Sequence, residues 1–424
     1  MRLYLPVLLF FSAYAAASNT VPDLVGFTDG HVKYFFLVND FPDDSLFSDF
    51  IDAPSIDRNG DLRLKFNWHI DKISIATDYQ MVAQHGDRIT LLDNLPNNPI
   101  IPDAVLGDDN RLFDFTRVIS ESSHSVLTHR LDRLTVDYAD GNAVLRFGRQ
   151  AVSWGNGLIY NPLDFFNPFD PATVDKEYKT GDDMLYGQYL LESGDDLQVV
   201  WVIRRDNNGD VNSGVDSVAA KYHGFAESIE YDLLFAEHYD DTVAGIGGIV
   251  DISDAIWRGD ITVTRTRNTL SKTDNIVSLV TSMSYSWTGW GYNTSGVIEY
   301  FYNGFGQKDA NYSPAALAAN PDLTERLIRG ELFTLGRHYV AASAMVEITP
   351  LWRLTPNVFV NVSDRSFLAQ LVSSYDLKQN WQLLSAINLP VGADGTEYGG
   401  IDSGIPGKPL SSGLSLFAQL AWYF

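Results

Sequence analysis

Residues 148–171 gather the side chains of this 424-residue chain that are best placed to act together. They include the charged groups Arg149, Asp164 and Asp170, the amide of Asn161, and the rings of Trp154, Phe165, Phe166 and Phe169. Pro162, Pro168 and Pro171 remove backbone donors and keep the stretch out of regular structure, while Gly148, Gly155 and Gly157 open backbone angles closed to other residues. A solvated loop with so many rings is unfavourable, so the loop must hide them. The chemistry expected is that of a pore lining: rings against a wall, and carboxylates that face ions or pair with wall arginines such as Arg133 and Arg146.

Catalytic readings fare poorly. Ser123, His124 and Ser125 form a close serine–histidine cluster. A nucleophile needs a base within reach and a third group to orient it, and neighbours on a strand point to opposite faces, so Ser123 and His124 are not expected to meet. The other histidines are scattered without metal-ligand spacing. Asp164, Asp170, Asp175, Glu177, Asp182 and Asp183 could hold calcium, but no Asp-x-Asp-x-Asp-Gly loop occurs, and solvated acidic surface is the preferred reading. There is no Walker-type glycine loop and no cysteine, so no cofactor, metal or thiolate site is expected and the chain is not read as an enzyme. A net charge of −24 argues against a nucleic-acid partner.

The elements that must position the loop are strands. The basic start, short apolar run and Ala15, Ala16 and Ala17 read as a secretory signal peptide over 1–17, leaving 18–424 as one domain. At the other end Leu414, Leu416, Ala418, Leu420, Trp422 and Phe424 alternate strictly with other residues. Mean hydropathy is near zero because apolar residues are dispersed, as in a barrel that alternates lipid-facing and lumen-facing side chains. Leu62, Leu64, Phe66, Trp68 and Ile70 against Arg63, Lys65, Asn67 and His69 show the partition plainly. Such runs number about 18, or 16 if the candidates 29–38 and 243–251 fail. Short connections fall at even positions, and the long ones, at 39–60, 84–124, 151–182, 304–336 and 390–411, all fall at odd positions. The fold class is therefore an all-β, antiparallel up-and-down transmembrane barrel with short periplasmic turns, long external loops and one in-folded loop. A short helix is expected within 314–327.

Alternation assigns Arg63, Lys65, Arg133, Arg146, Arg204, Lys221, Arg258 and Arg353 to the lumen, with Asp137, Glu230, Asp232, Asp260, Glu299 and Glu347. These are expected to pair across strands, giving a near-neutral wall. Tyr138, Tyr189, Trp201, Trp257, Tyr300, Tyr302, Trp381 and Trp422 fall on the lipid face as rim aromatics, and Arg265 and Arg267 are positioned for lipopolysaccharide phosphates.

The terminal strand resembles the closing strand of Gram-negative outer-membrane barrels, whose final Phe is part of the assembly signal. That implies outer-membrane localisation, lipid and lipopolysaccharide as surroundings, and the barrel-assembly machinery as a partner through Phe424. General porins constrict their pores with a loop at a comparable place. The pattern Gly148-Arg149-Gln150, Trp154-Gly155, Asn161-Pro162 and Asp164 resembles poorly characterised proteobacterial barrels similar to the alginate-export and capsule-assembly families. An alginate exporter implies a strongly basic lumen, from which this chain departs. Two functions follow: a channel passing an unidentified solute, narrowed by 151–182 through Trp154, Asn161, Asp164, Phe165, Phe166, Phe169, Asp170, Arg133, Arg146 and Arg149; or a plugged barrel that holds a surface polymer or lipid.

Overall fold

The structure, a computed structural model, describes residues 26–95, 107–267 and 275–424. The signal-peptide reading of 1–17 lies outside the described residues, as do parts of two predicted loop or strand ends at 96–106 and 268–274. The strands in chain order are β1 (Phe27–Asn39), β2 (Ser55–Ile70), β3 (Ile73–Gly86), β4 (Thr116–Ser122), β5 (Ser125–Asp140), β6 (Ala143–Gln150), β7 (Asp182–Leu190), β8 (Asp196–Val202), β9 (Ser217–Ala226) and β10 (Ile229–His238). They continue with β11 (Asp241–Ile252), β12 (Ala255–Arg265), β13 (Asn275–Gly289), β14 (Tyr292–Tyr302), β15 (His338–Thr349), β16 (Trp352–Asn361), β17 (Ser366–Lys378), β18 (Trp381–Val391) and β19 (Ser415–Tyr423).

Eighteen of these strands form a closed antiparallel barrel. Closure comes from β1, which pairs with β2 on one edge and β19 on the other. Phe424 extends that seam: its N–H and C=O both bond to Gly30, at 2.9 and 2.8 Å. The remaining strand, β4, pairs with the outer part of β5 through Thr116↔Arg130 to Ser122↔Ser125, while β6 pairs with the inner part of the same edge. The stretch 84–124, expected as loop, thus holds the end of β3, helix α1 (Asp87–Asn94) and β4. The Ser123–His124 expectation is corrected here. The pair occupies the β4–β5 turn rather than a strand, so alternation does not apply, and Ser123 Oγ lies 2.8 Å from His124 Nδ1 on the exposed hairpin tip.

Alternation builds both faces. Outward side chains such as Val136, Leu145, Trp201, Ile246, Ile261, Ile298, Leu371 and Leu416 remain exposed and form the apolar exterior. Tyr138, Tyr189, Trp257 and Trp381 stand exposed on this face close to the short turns. Several two-residue turns require left-handed backbone, supplied by Asp71, Glu227, Ser253 and Trp290 at φ of 55°, 55°, 57° and 52°. The long connections gather at the opposite end of the barrel, as the parity of the sequence requires. The helix expected over 314–327 is two helices, α2 (Pro314–Ala318) and α3 (Pro321–Ile328), because Pro321 interrupts the first and Asn320 caps the second.

Candidate functional site

The connection 151–181 between β6 and β7 turns inward and bonds to inward-facing residues over most of the barrel circumference. Its descending limb, 151–166, lies on an apolar patch of the inner wall. Leu163, Trp154 and Phe166 pack with Met184 of β7, Val200 and Val202 of β8, Ala219 of β9, Leu234 and Ala236 of β10 and Val243 of β11. Leu163 is 0% and Phe166 2% exposed. The Trp154 indole donates to Gln198 Oε1 at 2.8 Å and meets Phe166 edge-on. Phe165 rests against Phe166 and His238.

The limb can approach this closely because β11 presents glycines inward. A Cβ on Gly247 would stand 2.3 Å from Asp260 Oδ1 and 2.5 Å from Asn156 Nδ2, and one on Gly245 would stand 2.3 Å from Leu163 Cδ2. The limb's polar contacts are unusual in kind. Its consecutive backbone N–H groups have no ladder to join, and wall carboxylates satisfy them. Asn156 and Gly157 N–H donate to Asp260 Oδ2 at 2.7 and 3.2 Å. Leu158 N–H donates to Glu299 Oε2 at 2.8 Å, and Tyr160 N–H donates to Glu299 Oε1 at 2.6 Å with Ile159 N–H beside it. The Asn156 amide adds bonds to Asp232 and Asp260. Tyr160 then stacks on Phe301 of β14, 4.8 Å between centroids.

The returning limb, 167–181, is held by charges and side-chain contacts. Gln370 of β17 donates to Ala172 O. Lys33 of β1 bridges Asp175 and Glu177 at 2.6 Å each, and Tyr423 of β19 donates to Glu177. The Tyr178 ring lies under the Arg63 guanidinium at 3.9 Å, with Lys65 also over it. Arg133 donates to the carbonyl of Lys179. Where the limbs meet, the Lys179 ammonium binds both oxygens of Asp164 at 2.6 and 2.7 Å and the carbonyl of Val152.

These contacts revise the expected pairings. Asp164 does not reach Arg133 or Arg146; it is buried and neutralised by Lys179 from its own loop. Burial pushes Asp164 up to about 6 against the pull of Lys179, and the same burial lowers Lys179. Asp170 turns back on its own chain, accepting from Ala172 N–H at 2.9 Å, and burial raises it. Asp175 and Glu177 are pushed up by burial, but their bonds to Lys33 outweigh it and hold both below the ordinary carboxylate range.

The arginines separate into three settings. Arg146 pairs with Asp137 across the β5–β6 ladder at 2.8 Å. Arg133 faces inward beside Asp132, because a bulge between Leu131 and Arg133 breaks alternation and turns both side chains to the lumen. Arg149 departs from the pore path. It shares the outward parity of Leu145 and Phe147, and the segment 107–115 covers it: Asp183, Asp108 and the carbonyl of Phe113 take its donors, and it is 1% exposed.

Four further wall charges pair, with Arg63 on Asp132 at 2.6 Å, Lys65 on Asp29, Lys221 on Asp232 and Arg204 on Asp182, whereas Arg258 and Arg353 donate to Ser284 and Ser374 and Glu347 accepts from Asn293. Sequence reasoning missed Lys179, Tyr178, Asn156 and the two wall glycines as loop anchors. A usable signal existed in Gly245 and Gly247, two inward positions left without side chains on one strand.

A cavity of about 160 Å³ lies between the descending limb, strands β10–β14 and the connection 303–337. Asn161, Phe165 and Phe169 line it from the loop, and Thr262, Thr264 and Phe301 from the wall. The connection 303–337 is fixed to the wall by Arg326 on Asp241 and by Glu331 on His238 at 2.9 Å. Burial raises Glu331, but His238, Arg326 and Arg329 outweigh it and hold it at about 2.

No protein-family model matches the chain. No curated protein matches it in sequence. Solved structures do match in fold. OccK5 (OpdH) of Pseudomonas aeruginosa superposes with a TM-score of 0.53 at 9% identity, covering 94% of this chain and 97% of that one. OccAB4 of Acinetobacter baumannii gives 0.51 at 9% identity over 93% and 97%, and OccAB2 of the same organism 0.50 at 9% over 94% and 97%. The chain therefore has the fold of an outer-membrane porin barrel, and the comparisons do not support the alginate-export or capsule-assembly resemblance.

Proposed function

We propose that this chain is an outer-membrane channel of porin type, exported and inserted as a barrel, that passes a small or extended solute through a lumen narrowed by 151–181. The observation that carries this reading is the circuit of the loop. It bonds to inward-facing residues from β8, through β12, β14 and β17, to β1 and β2, so a solute crossing the lumen has to pass it. Trp154, Phe165 and Phe166 anchor the constriction, while Asn161 and Phe169 border the path. In this reading Arg265 and Arg267 meet lipopolysaccharide at the outer rim, and the strand ending in Phe424 is the part addressed to the assembly machinery.

A plugged barrel that holds a polymer or lipid is the second reading. The Asp164–Lys179 pair favours it, because it ties the two limbs together within the lumen. Planar-bilayer recording of the purified barrel decides between them. Open-channel steps are expected, and deleting 156–170 should enlarge them. Unchanged steps in a folded deletion variant would remove the loop from the pore. Silence at all voltages in the parent, with conductance only after deletion, would establish the plug.

A further inference from the structure

The cavity beside the descending limb has a composition that selects a ligand class. Rings supply much of its surface: Phe165 and Phe169 from the loop, Phe301 from β14, and Phe305 and Phe333 from the connection beyond it. A cavity of about 150 Å³ accommodates an unsubstituted six-membered ring, so the space receives the ring of a ligand while substituents on that ring extend from its open side into the lumen. Its charged members are already engaged, most by residues outside the cavity lining. Asp164 is bound by Lys179, Arg326 by Asp241, and Glu331 by His238. Lys176 donates to Pro171 O at 3.1 Å and lies among the charges of Asp170 and Glu299.

Of the uncharged polar groups, Ser278 and Thr334 accept from Gly304 N–H and the Asn303 amide, but others are not engaged. Thr262 and Thr264 on β12 are 3% and 4% exposed, line the cavity, and their hydroxyls bond to no other described residue. The Asn161 side-chain oxygen likewise is buried without a partner among the described residues. A charged ligand brought here would be desolvated without a free countercharge, and an anion would meet Asp170 and Glu299 with only Lys176 to offset them. A purely apolar ligand would leave the two hydroxyls and the amide dehydrated and unpaired. An uncharged ring that carries hydroxyls satisfies both conditions.

We propose that this cavity binds a neutral monosaccharide, its hydroxyls bonded to Thr262, Thr264 and Asn161 and its apolar face against Phe301 and Phe305. The channel reading explains how such a solute arrives, and binding itself is independent of it. The test is calorimetric titration of the full-length barrel in detergent with D-glucose and D-xylose, alongside gluconate and glucosamine as charged analogues. Saturable binding of a neutral sugar is expected, with both charged analogues weaker by about tenfold or more. The double variant T262V/T264V should bind about 25-fold more weakly, from about fivefold per lost hydrogen bond. T262S/T264S keeps the hydroxyls and should restore binding, which separates their role from an effect on folding. The proposal is overturned if neither neutral sugar binds saturably, if gluconate or glucosamine binds as tightly as the neutral sugars, or if T262V/T264V leaves binding intact. Bilayer recording on the same preparation keeps the two readings apart. A silent barrel that binds glucose defeats the channel and leaves the site standing, and a conducting barrel without binding does the reverse.

Discussion

The two limbs of the in-folded loop solve the same problem by different means. The descending limb is docked by shape: Leu163, Trp154 and Phe166 enter an apolar patch, glycines on β11 make room, and wall carboxylates take the orphan backbone donors. The returning limb is docked by charge, with Lys33 on Asp175 and Glu177 and cations over Tyr178. Packing of the first kind is insensitive to salt and intolerant of volume changes. Contacts of the second kind are partly exposed, with Asp175 and Glu177 side chains at 27% and 34%, so they tolerate changes of shape and respond to solution conditions. One limb is therefore expected to act as a fixed abutment and the other as the part that yields.

The strongest way to break this contrast is to fill the gap in the wall. Gly247→Val places a side chain where Asp260, Asn156 and Leu163 already meet, and should dislodge the descending limb without unfolding the barrel. Single-channel conductance should rise toward that of the 156–170 deletion. A normal conductance would mean that the limb does not need the glycine gap.

Leu163→Ala comes next. It empties a fully buried site, for which losses of about 2–5 kcal/mol are usual. Hydrogen exchange should accelerate in 152–166 and change much less in 172–180. Equal acceleration in both would show that the limbs dock as one unit through Asp164 and Lys179.

Opposite responses to pH sharpen the comparison further. Asp164 sits at about 6, raised by burial, so the docked limb holds its proton more readily than a released one. Its contribution is fully present below the ordinary carboxylate range and is lost as pH rises through about 6. Asp175 and Glu177 are lowered, so theirs is present above that range and is lost as pH falls through and below it. Exchange protection, corrected for intrinsic rates, should fall in 152–166 on raising pH from 4 to 7, and should fall in 172–180 on lowering it toward 3. The same direction in both segments would refute the assignment of separate forces.

Salt should have the smallest effect. Raising ionic strength from 0.1 to 1 M shortens the screening length to about 3 Å and should weaken the returning limb by less than about 1 kcal/mol. The descending limb should not respond, and comparable loss of protection in 152–166 would show that its docking is more electrostatic than its packing implies.

The sequence by itself determined the barrel. Strand alternation is a local property of the backbone, so Leu62 to Ile70 and Leu414 to Phe424 declare their lipid faces without knowledge of their neighbours. Loop parity follows from the same local reading, and the rings and prolines of 151–171 mark a loop that has to be buried. Which partners bury it was decided by closure alone. Asp260 and Glu299 lie more than a hundred residues from the N–H groups they accept, and only the accumulated register of β7–β14 brings them under 156–160. Lys179 displaced the wall arginines because a loop that doubles back offers Asp164 a closer countercharge than the wall does. Arg149 lies outside the lumen because the segment 107–115 folds over the outside of β6, a contact that no periodicity encodes. Asp132 and Arg133 face the same way because a bulge breaks the alternation that the sequence invites one to continue. Local geometry is written residue by residue, whereas these pairings depend on distances that exist only once the ring has closed.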